Sequence, residues 1–185
     1  MAEPTFRQVY GEHFRFVWRS LRRLGVRESD VGDVAQEVFV VVFHKLAQFE
    51  GRSKMTTWLF GICVNVARDH RKSAVVRREV ATDDALLGDR EDPRSNAHAE
   101  IESRQRRALL EKILDELPED QRTVFVLFEL EGLPGLEIAE LLDVPTGTVH
   151  SRLRLGREAF RRALARVDAR ERFDVGDVAL RREGA

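Results

Sequence analysis

The sequence predicts an all-α protein of two small helical domains joined by a flexible acidic linker, the C-terminal domain containing a helix-turn-helix. Three observations carry this expectation. Apolar residues recur at spacings of three and four in most segments long enough to show a period. The stretch from Ala81 to Asn96 loses that period and gathers Asp83, Asp84, Asp89, Glu91, Asp92 and Pro93. Near the C-terminus, two helical patterns are separated only by Asp143, Val144 and Pro145.

In the first segment Phe6, Val9, Tyr10, Phe14, Val17, Trp18, Leu21 and Leu24 form the stripe of an amphipathic helix, which Gly25 ends. A second helix begins with Ser29 or Asp30 as cap and runs to about Leu46. Its middle, VFVVVF from Val38 to Phe43, fits a buried strand equally well by propensity. Val34, Val38, Val41 and Val42 keep the helical period, and a lone strand would have no partner, so the helix is the reading adopted. Phe49 to Lys54 contains Gly51 and reads as a loop. After it, Met55, Trp58, Leu59, Ile62, Cys63, Val66 and Ala67 make a third stripe. Beyond the acidic stretch the period returns near Ile101 and is clear at Leu109, Leu110, Ile113, Leu114 and Leu117. Pro118 breaks the chain, a helix follows from Glu119 to Leu130, and Gly132, Pro134 and Gly135 mark a turn. Two helices then span Glu137 to Leu142 and Thr146 to Arg166. The expected division is domains at 1–78 and 99–167, a linker at 79–98, and a tail at 168–185 with weak signals and no assigned role. Each half has about eighty residues, so both cores are small.

Composition narrows the function classes. In 185 residues, 31 Lys plus Arg face 32 Asp plus Glu, yet residues 1–78 carry 14 basic and 8 acidic side chains, and residues 79–121 carry 6 and 13. Val144 to Arg166 holds six arginines and one glutamate. Positive charge on either side of an acidic middle suits two polyanion contacts, although solvated helix faces give the same pattern. No apolar run approaches the ~18 residues of a membrane span, and the N-terminal MAEPTFRQVY lacks a signal-peptide pattern, so the expected location is the cytoplasm. One cysteine, Cys63, cannot form an internal disulfide or a multi-cysteine zinc site. The five histidines show no metal-ligand spacing, and no phosphate-loop, zinc-protease or nucleophile-elbow motif occurs. Neither a metal nor a cofactor is expected, and no catalysis.

The residues that remain point to nucleic acid. Ile138, Ala139, Leu142, Val144, Val149 and Leu153 would pack the corner of the helix-turn-helix, and Asp143 stands where the turn needs a left-handed backbone. Thr146 is read as the cap of the second helix, whose exposed face carries His150, Ser151, Arg154, Arg157 and Arg161. Its N-terminal turns suit a major groove. A plain helical hairpin with a basic face is the bland alternative. On the helix from Met55, the face with Thr56, Thr57, Asn65, Arg68, Asp69, Arg71 and Lys72 suits an opened strand, while Trp58 fits either core or a stacking platform. Asp33 and Glu37, four apart, could be paired carboxylates of a hydrolase with His44, or an acidic patch facing a partner.

D-V-G-D-V-A-Q-E-V-F from Asp30, F-E-G-R-S-K-M-T-T-W-L-F-G-I-C-V-N-V-A-R-D-H-R from Phe49, L-P-E-D-Q-R from Leu117 and E-I-A-E-L-L-D-V-P-T-G-T-V-H-S-R-L from Glu137 resemble, in order, the extracytoplasmic-function (ECF) group of bacterial sigma factors. The resemblance implies an initiation factor that binds core RNA polymerase, directs it to promoters and promotes strand opening. It implies that Asp33, Gln36, Glu37 and Phe39 dock on the clamp helices of the polymerase. It implies that Phe49, Arg52, Ser53, Thr57, Trp58, Asn65, Asp69 and Arg71 bind the melted minus-ten element, and that Thr146, Thr148, His150, Ser151, Arg154 and Arg157 read the minus-thirty-five duplex. An anti-sigma factor is the further partner implied. The chain departs from the group at Asp143, where glycine is common, at His150, at the Pro134–Leu136 turn and in its GRSK loop. The competing reading is a stand-alone helix-turn-helix regulator whose N-terminal domain binds a ligand or partner, which would bind its operator without polymerase.

Overall fold

The computed structural model describes residues 4–78 and 97–183. The expected linker therefore lies outside the described residues, except for Ala97 and His98, which open a helix. Among the described residues the regular structure is entirely helical.

The first domain is three helices around one apolar seam. Helix α1 (Phe6–Arg23) starts on a capping box: Gln8 N donates to Thr5 Oγ1 at 3.4 Å and Thr5 N donates to Gln8 Oε1 at 2.9 Å, satisfying amides that the first turn leaves open. It stops at Leu24, where Gly25 takes φ 87°, a left-handed conformation cheap only without a Cβ. Helix α2 (Val31–Lys45) buries Val31, Val34, Ala35, Val38, Phe39 and Val42, so the ambiguous valine run is helical. Its 3.6-residue period lets one valine face fill the space between α1 and α3, whereas a strand would point alternate side chains away from them. A short 3-10 turn, Leu46–Gln48, leads to the loop, where Gly51 has φ 69°. Helix α3 (Met55–Arg78) is buried over a wider face than its stripe implies, because Phe60 and Val64 are also covered. Phe60 meets Phe16 of α1, ring centroids 6.3 Å apart. Cys63 is fully buried, and burial pushes its thiol pKa up.

The second domain contains α4 (Ala97–Asp115), α5 (Glu119–Phe125), α6 (Gly135–Leu142) and α7 (Thr146–Glu183). The single helix expected from Glu119 to Leu130 is instead α5 followed by one wide turn of π-helix, Val126–Leu130. Asp143 closes α6 at φ 53°, ψ 51°, the left-handed corner that the short connection demands. Ile138, Ala139, Val149 and Leu153 are buried at that corner, with Leu142 and Val144 packed against them. Thr146 is not the cap of α7. The carbonyl of Pro145 accepts from the amides of Thr148 and Val149 at 2.8 and 3.2 Å, so Pro145 holds the cap position and Thr146 sits in the first turn. Helix α7 also runs to Glu183 rather than ending near Arg166, and no proline interrupts the segment that follows.

Gly156 lies inside α7 although glycine weakens a helix by ~1 kcal/mol relative to alanine. Packing accounts for it: a Cβ there would stand 3.1 Å from the carbonyl oxygen of Gln121 and 3.5 Å from Phe125 Cβ. The residue is what lets α5 and α7 close together, and it leaves α7 unbroken.

Two outcomes are expected. Gly156→Val should destabilise the chain by about 1–3 kcal/mol despite its higher helix propensity, because the branched side chain overpacks the α5–α7 contact; urea unfolding checks the sign. Phe39 lies among Phe6, Tyr10 and Phe14, its centroid 4.6 Å from that of Tyr10. Phe39→Ala should cost about 3–5 kcal/mol in the same measurement.

Candidate nucleic-acid interface

The residues assigned from sequence fall on three surfaces. On the outer face of α2, Asp33, Gln36 and Glu37 are exposed at helical spacing. Phe39 is not part of that surface: at 4% exposure it supports the helix from beneath. The same outer face continues through Val40 and Phe43, 57% and 62% exposed, which sequence reasoning did not assign. Their signal was present, since they fall seven and ten residues after Asp33 along a stripe otherwise polar.

The second surface is a groove of about 1050 Å³ between the domains. Its first wall is made by the loop and α3: Arg52, Ser53, Thr57, Trp58 and Asn65, joined by Lys45, Lys54 and Phe16. Trp58 is half-buried and packs on Phe49 at 5.1 Å between centroids, so it serves the core with one face and the groove with the other. Arg52 is held to Glu50 at 2.5 Å in a pair that stays largely exposed. Asn65 accepts from Arg68 Nη2 at 2.8 Å, and Asp69 is exposed on the same helix.

Arg71 departs from the expected reading face. It donates to the carbonyl of Leu24 and, at 2.6 Å, to Glu119 of the second domain. Burial pushes its guanidinium below the ordinary arginine pKa, and Glu119 opposes that shift. Arg122 mirrors it from the other side. Its guanidinium covers Gly25, where a Cβ would lie 1.7 Å from Nη1, and it donates to the carbonyls of Asp115 and Leu117 at 2.8 and 3.2 Å. Burial lowers its pKa as well, opposed by Asp115. The Nε atoms of both arginines are buried without a hydrogen-bond partner. Arg22–Glu111 at 2.8 Å and Arg23–Glu131 at 2.7 Å add further ionic contacts between domains. Partly exposed pairs of this kind contribute only about 0–1 kcal/mol each. Gly61 lies beneath Leu141, and one apolar cluster of buried side chains includes residues of both domains.

The third surface is the N-terminal half of α7. Thr146 and Thr148 are half-buried, while His150, Ser151 and Arg154 are exposed and share one face. Ser151 Oγ donates to the Thr148 carbonyl at 2.9 Å. The arginines are not bare cations. Arg154 pairs with Glu158 at 2.7 Å, Arg152 with Asp120 at 2.5 Å, and Arg157 with Glu129 at 2.7 Å while lying 5.3 Å over the Phe128 ring. Arg154, 66% exposed, is the most accessible of these three, and Arg157 is tied more closely to its own domain. Glu158 is four residues along the same helix from Arg154, whereas Asp120 and Glu129 come from α5 and the π turn, so periodicity within α7 could not show them. Among the described residues no group of three or more His, Cys, Asp or Glu is arranged to hold a metal ion.

This architecture has known counterparts. The sigma-70 region 2 family matches residues 9–76, and the sigma-70 region 4 family matches residues 107–160. The RNA polymerase sigma-H factor of Pseudomonas aeruginosa is 37% identical over 145 residues, covering 74% of each chain. The ECF RNA polymerase sigma-E factor of Escherichia coli K12 is 35% identical over 140 residues, covering 72% of this chain and 73% of the relative. In structure, CnrH in complex with the cytosolic domain of CnrY aligns at TM-score 0.58 and 26% identity over 89% of this chain and 88% of that one. RpoE of Bartonella quintana, bound to the anti-sigma factor NepR, shares the fold at TM-score 0.64 and 20% identity over 86% of this chain and 96% of that one. The two matched regions and the sigma-H and sigma-E relatives make the chain a member of the extracytoplasmic-function group of sigma-70 family RNA polymerase sigma factors.

Proposed function

We propose that the three surfaces divide the work of initiation among themselves. Asp33, Gln36 and Glu37 dock α2 on core polymerase, with Val40 and Phe43 extending the contact. Phe49, Arg52, Ser53, Thr57, Trp58, Asn65 and Asp69 hold the displaced strand of the minus-ten element, with Arg71 joining them once it leaves Glu119. His150, Ser151 and Arg154 read the minus-thirty-five duplex from the major groove, with Thr146, Thr148 and Arg157 supporting the helix N-terminus. Residues 1–78 and 99–167 are the units that carry these roles, 79–98 connects them, and 168–185 has no role assigned. The chain works in the cytoplasm, where the polymerase is; no described helix is long and apolar enough to cross a membrane. RpoE is in complex with the anti-sigma factor NepR and CnrH with the cytosolic domain of CnrY, and an anti-sigma factor is the corresponding partner proposed here.

The observation that carries this reading is the groove beside Trp58, where an aromatic face, an amide and three cations lie together. Such a surface grips a base only after it leaves the stack, with about 1–3 kcal/mol per stacked base. Opening a duplex step costs a comparable ~1.4 kcal/mol of stacking. A factor with higher affinity for open than for closed DNA shifts the promoter toward the open form without chemistry of its own.

Transcription from fragmented genomic DNA by purified core polymerase tests the whole reading: the chain should add discrete start sites, and a chain that forms no complex with core would sink it. Asp33→Arg with Glu37→Arg should weaken core binding at least about tenfold, which corresponds to ~1.4 kcal/mol. Arg154→Ala should reduce promoter-dependent transcription while core affinity, measured by pull-down, stays as it was; a fall in both would reject its assignment to DNA.

A further inference from the structure

The exposed face of α7 is not uniformly polar. Leu155 lies on it, 38% exposed, four residues after Ser151 and seven after Thr148, so the three stand in one row along the helix. Arg154 follows His150 by four residues in the neighbouring row. Long side chains in a helix lean toward its N-terminus, which carries the leucine over the turn of Ser151, nearer the end that suits a groove. Among the described residues, Leu155 takes no part in the buried apolar cluster or in the shell packed on it. Its surroundings offer little for hydrogen bonding. Ser151 Oγ commits its hydrogen to the Thr148 carbonyl at 2.9 Å, and Arg152, three residues before the leucine, is drawn to Asp120 at 2.5 Å. The backbone is held from behind, because Gly156 is buried where a Cβ would stand 3.1 Å from the carbonyl oxygen of Gln121. The turn that carries Leu155 therefore cannot roll without disturbing the α5–α7 contact.

A single exposed leucine is ordinary on a protein surface and means nothing by itself. Its place gives it meaning, since it stands beside Arg154 on the face assigned above to the major groove. In that groove the base pairs differ in donors and acceptors, and thymine alone adds a methyl group, at C5. A leucine can neither donate nor accept, so it tells bases apart only by apolar contact. We propose that Leu155 is a specificity-determining residue that selects a thymine in the minus-thirty-five duplex through its C5 methyl, next to the contact made by Arg154. The inference rests on the reading of α7 as the helix that enters the major groove. A cytosine at the same place would present its N4 amino group to a side chain that cannot accept from it, and the donor would be desolvated and left unpaired. Discrimination thus has two sources, the methyl that is covered and the amino group that is refused.

The test uses the full chain bound to core polymerase and a duplex promoter recovered from the genomic transcription assay. One thymine at a time in the minus-thirty-five element is replaced by deoxyuridine, which keeps the O4 acceptor and the base pair and lacks only the methyl. In competition binding, the unsubstituted chain should lose about fourfold in affinity at one such position, the equilibrium value of one covered methyl. Leu155→Ala should shrink that difference to less than about twofold, because the partner of the methyl is gone. Indifference of the unsubstituted chain to uracil at every position would overturn the proposal, and so would a full uracil penalty in Leu155→Ala. A second variant covers a folding defect in the first. Leu155→Met keeps an apolar tip and should keep most of the penalty; losing it while still binding core would count against the contact. Arg154→Ala on the same probes separates this inference from the reading beneath it. If α7 does not read the duplex, Arg154→Ala binds every probe as the unsubstituted chain does, and both fall. If only the methyl contact is wrong, Arg154→Ala still weakens binding while the uracil substitutions change nothing.

Discussion

Helix α3 has to bury side chains in more than one direction, and much of the molecule follows from that. Leu59, Cys63 and Ala67 complete the first domain against α1 and α2, while Phe60 turns to Phe16 and Gly61 admits Leu141 of the second domain. An ordinary amphipathic helix covers a single stripe and leaves the rest to water. Here the remaining surface is shared between an apolar neighbour and a polar groove, and Trp58 stands at the border. The same helix therefore closes a core, receives the other domain and lines the groove beside Trp58.

Electrostatics between the domains are built from cations that are neither buried nor free. Arg71 and Arg122 have side chains 23% and 11% exposed, and each finds some of its hydrogen bonds on backbone carbonyls. A guanidinium has five N–H donors, and leaving one of them dry carries a desolvation cost that a single carboxylate only partly offsets. These ionic contacts lie beside an apolar core whose buried side chains belong to both domains.

Much of this was legible in the sequence because it rests on local chemistry. Gly25 ending α1, Asp143 adopting the left-handed corner and the burial of Ile138, Val149 and Leu153 follow from spacing and from which residues tolerate φ > 0. What periodicity could not supply was contact across the chain. Phe39 reads as one more residue of a surface motif, yet it sits under three other aromatic rings from α1. Arg71 reads as part of a basic face, yet its partner is Glu119, beyond the acidic stretch. Gly156 reads as a weak point, yet it is where two helices touch. The length of α7 was missed for a different reason: the sequence from Val167 to Glu183 has no clear apolar period to announce a helix.

Cys63 illustrates how burial limits the signals a protein can receive. Oxidation of a cysteine begins from its thiolate and needs access to the oxidant. This thiol has neither, because it is enclosed by the first domain and its ionisation is suppressed. It is also the single cysteine of the chain. A peroxide or disulfide stress would thus have to be sensed by a bound molecule and relayed by its release, rather than being registered by the sulfur of this cysteine.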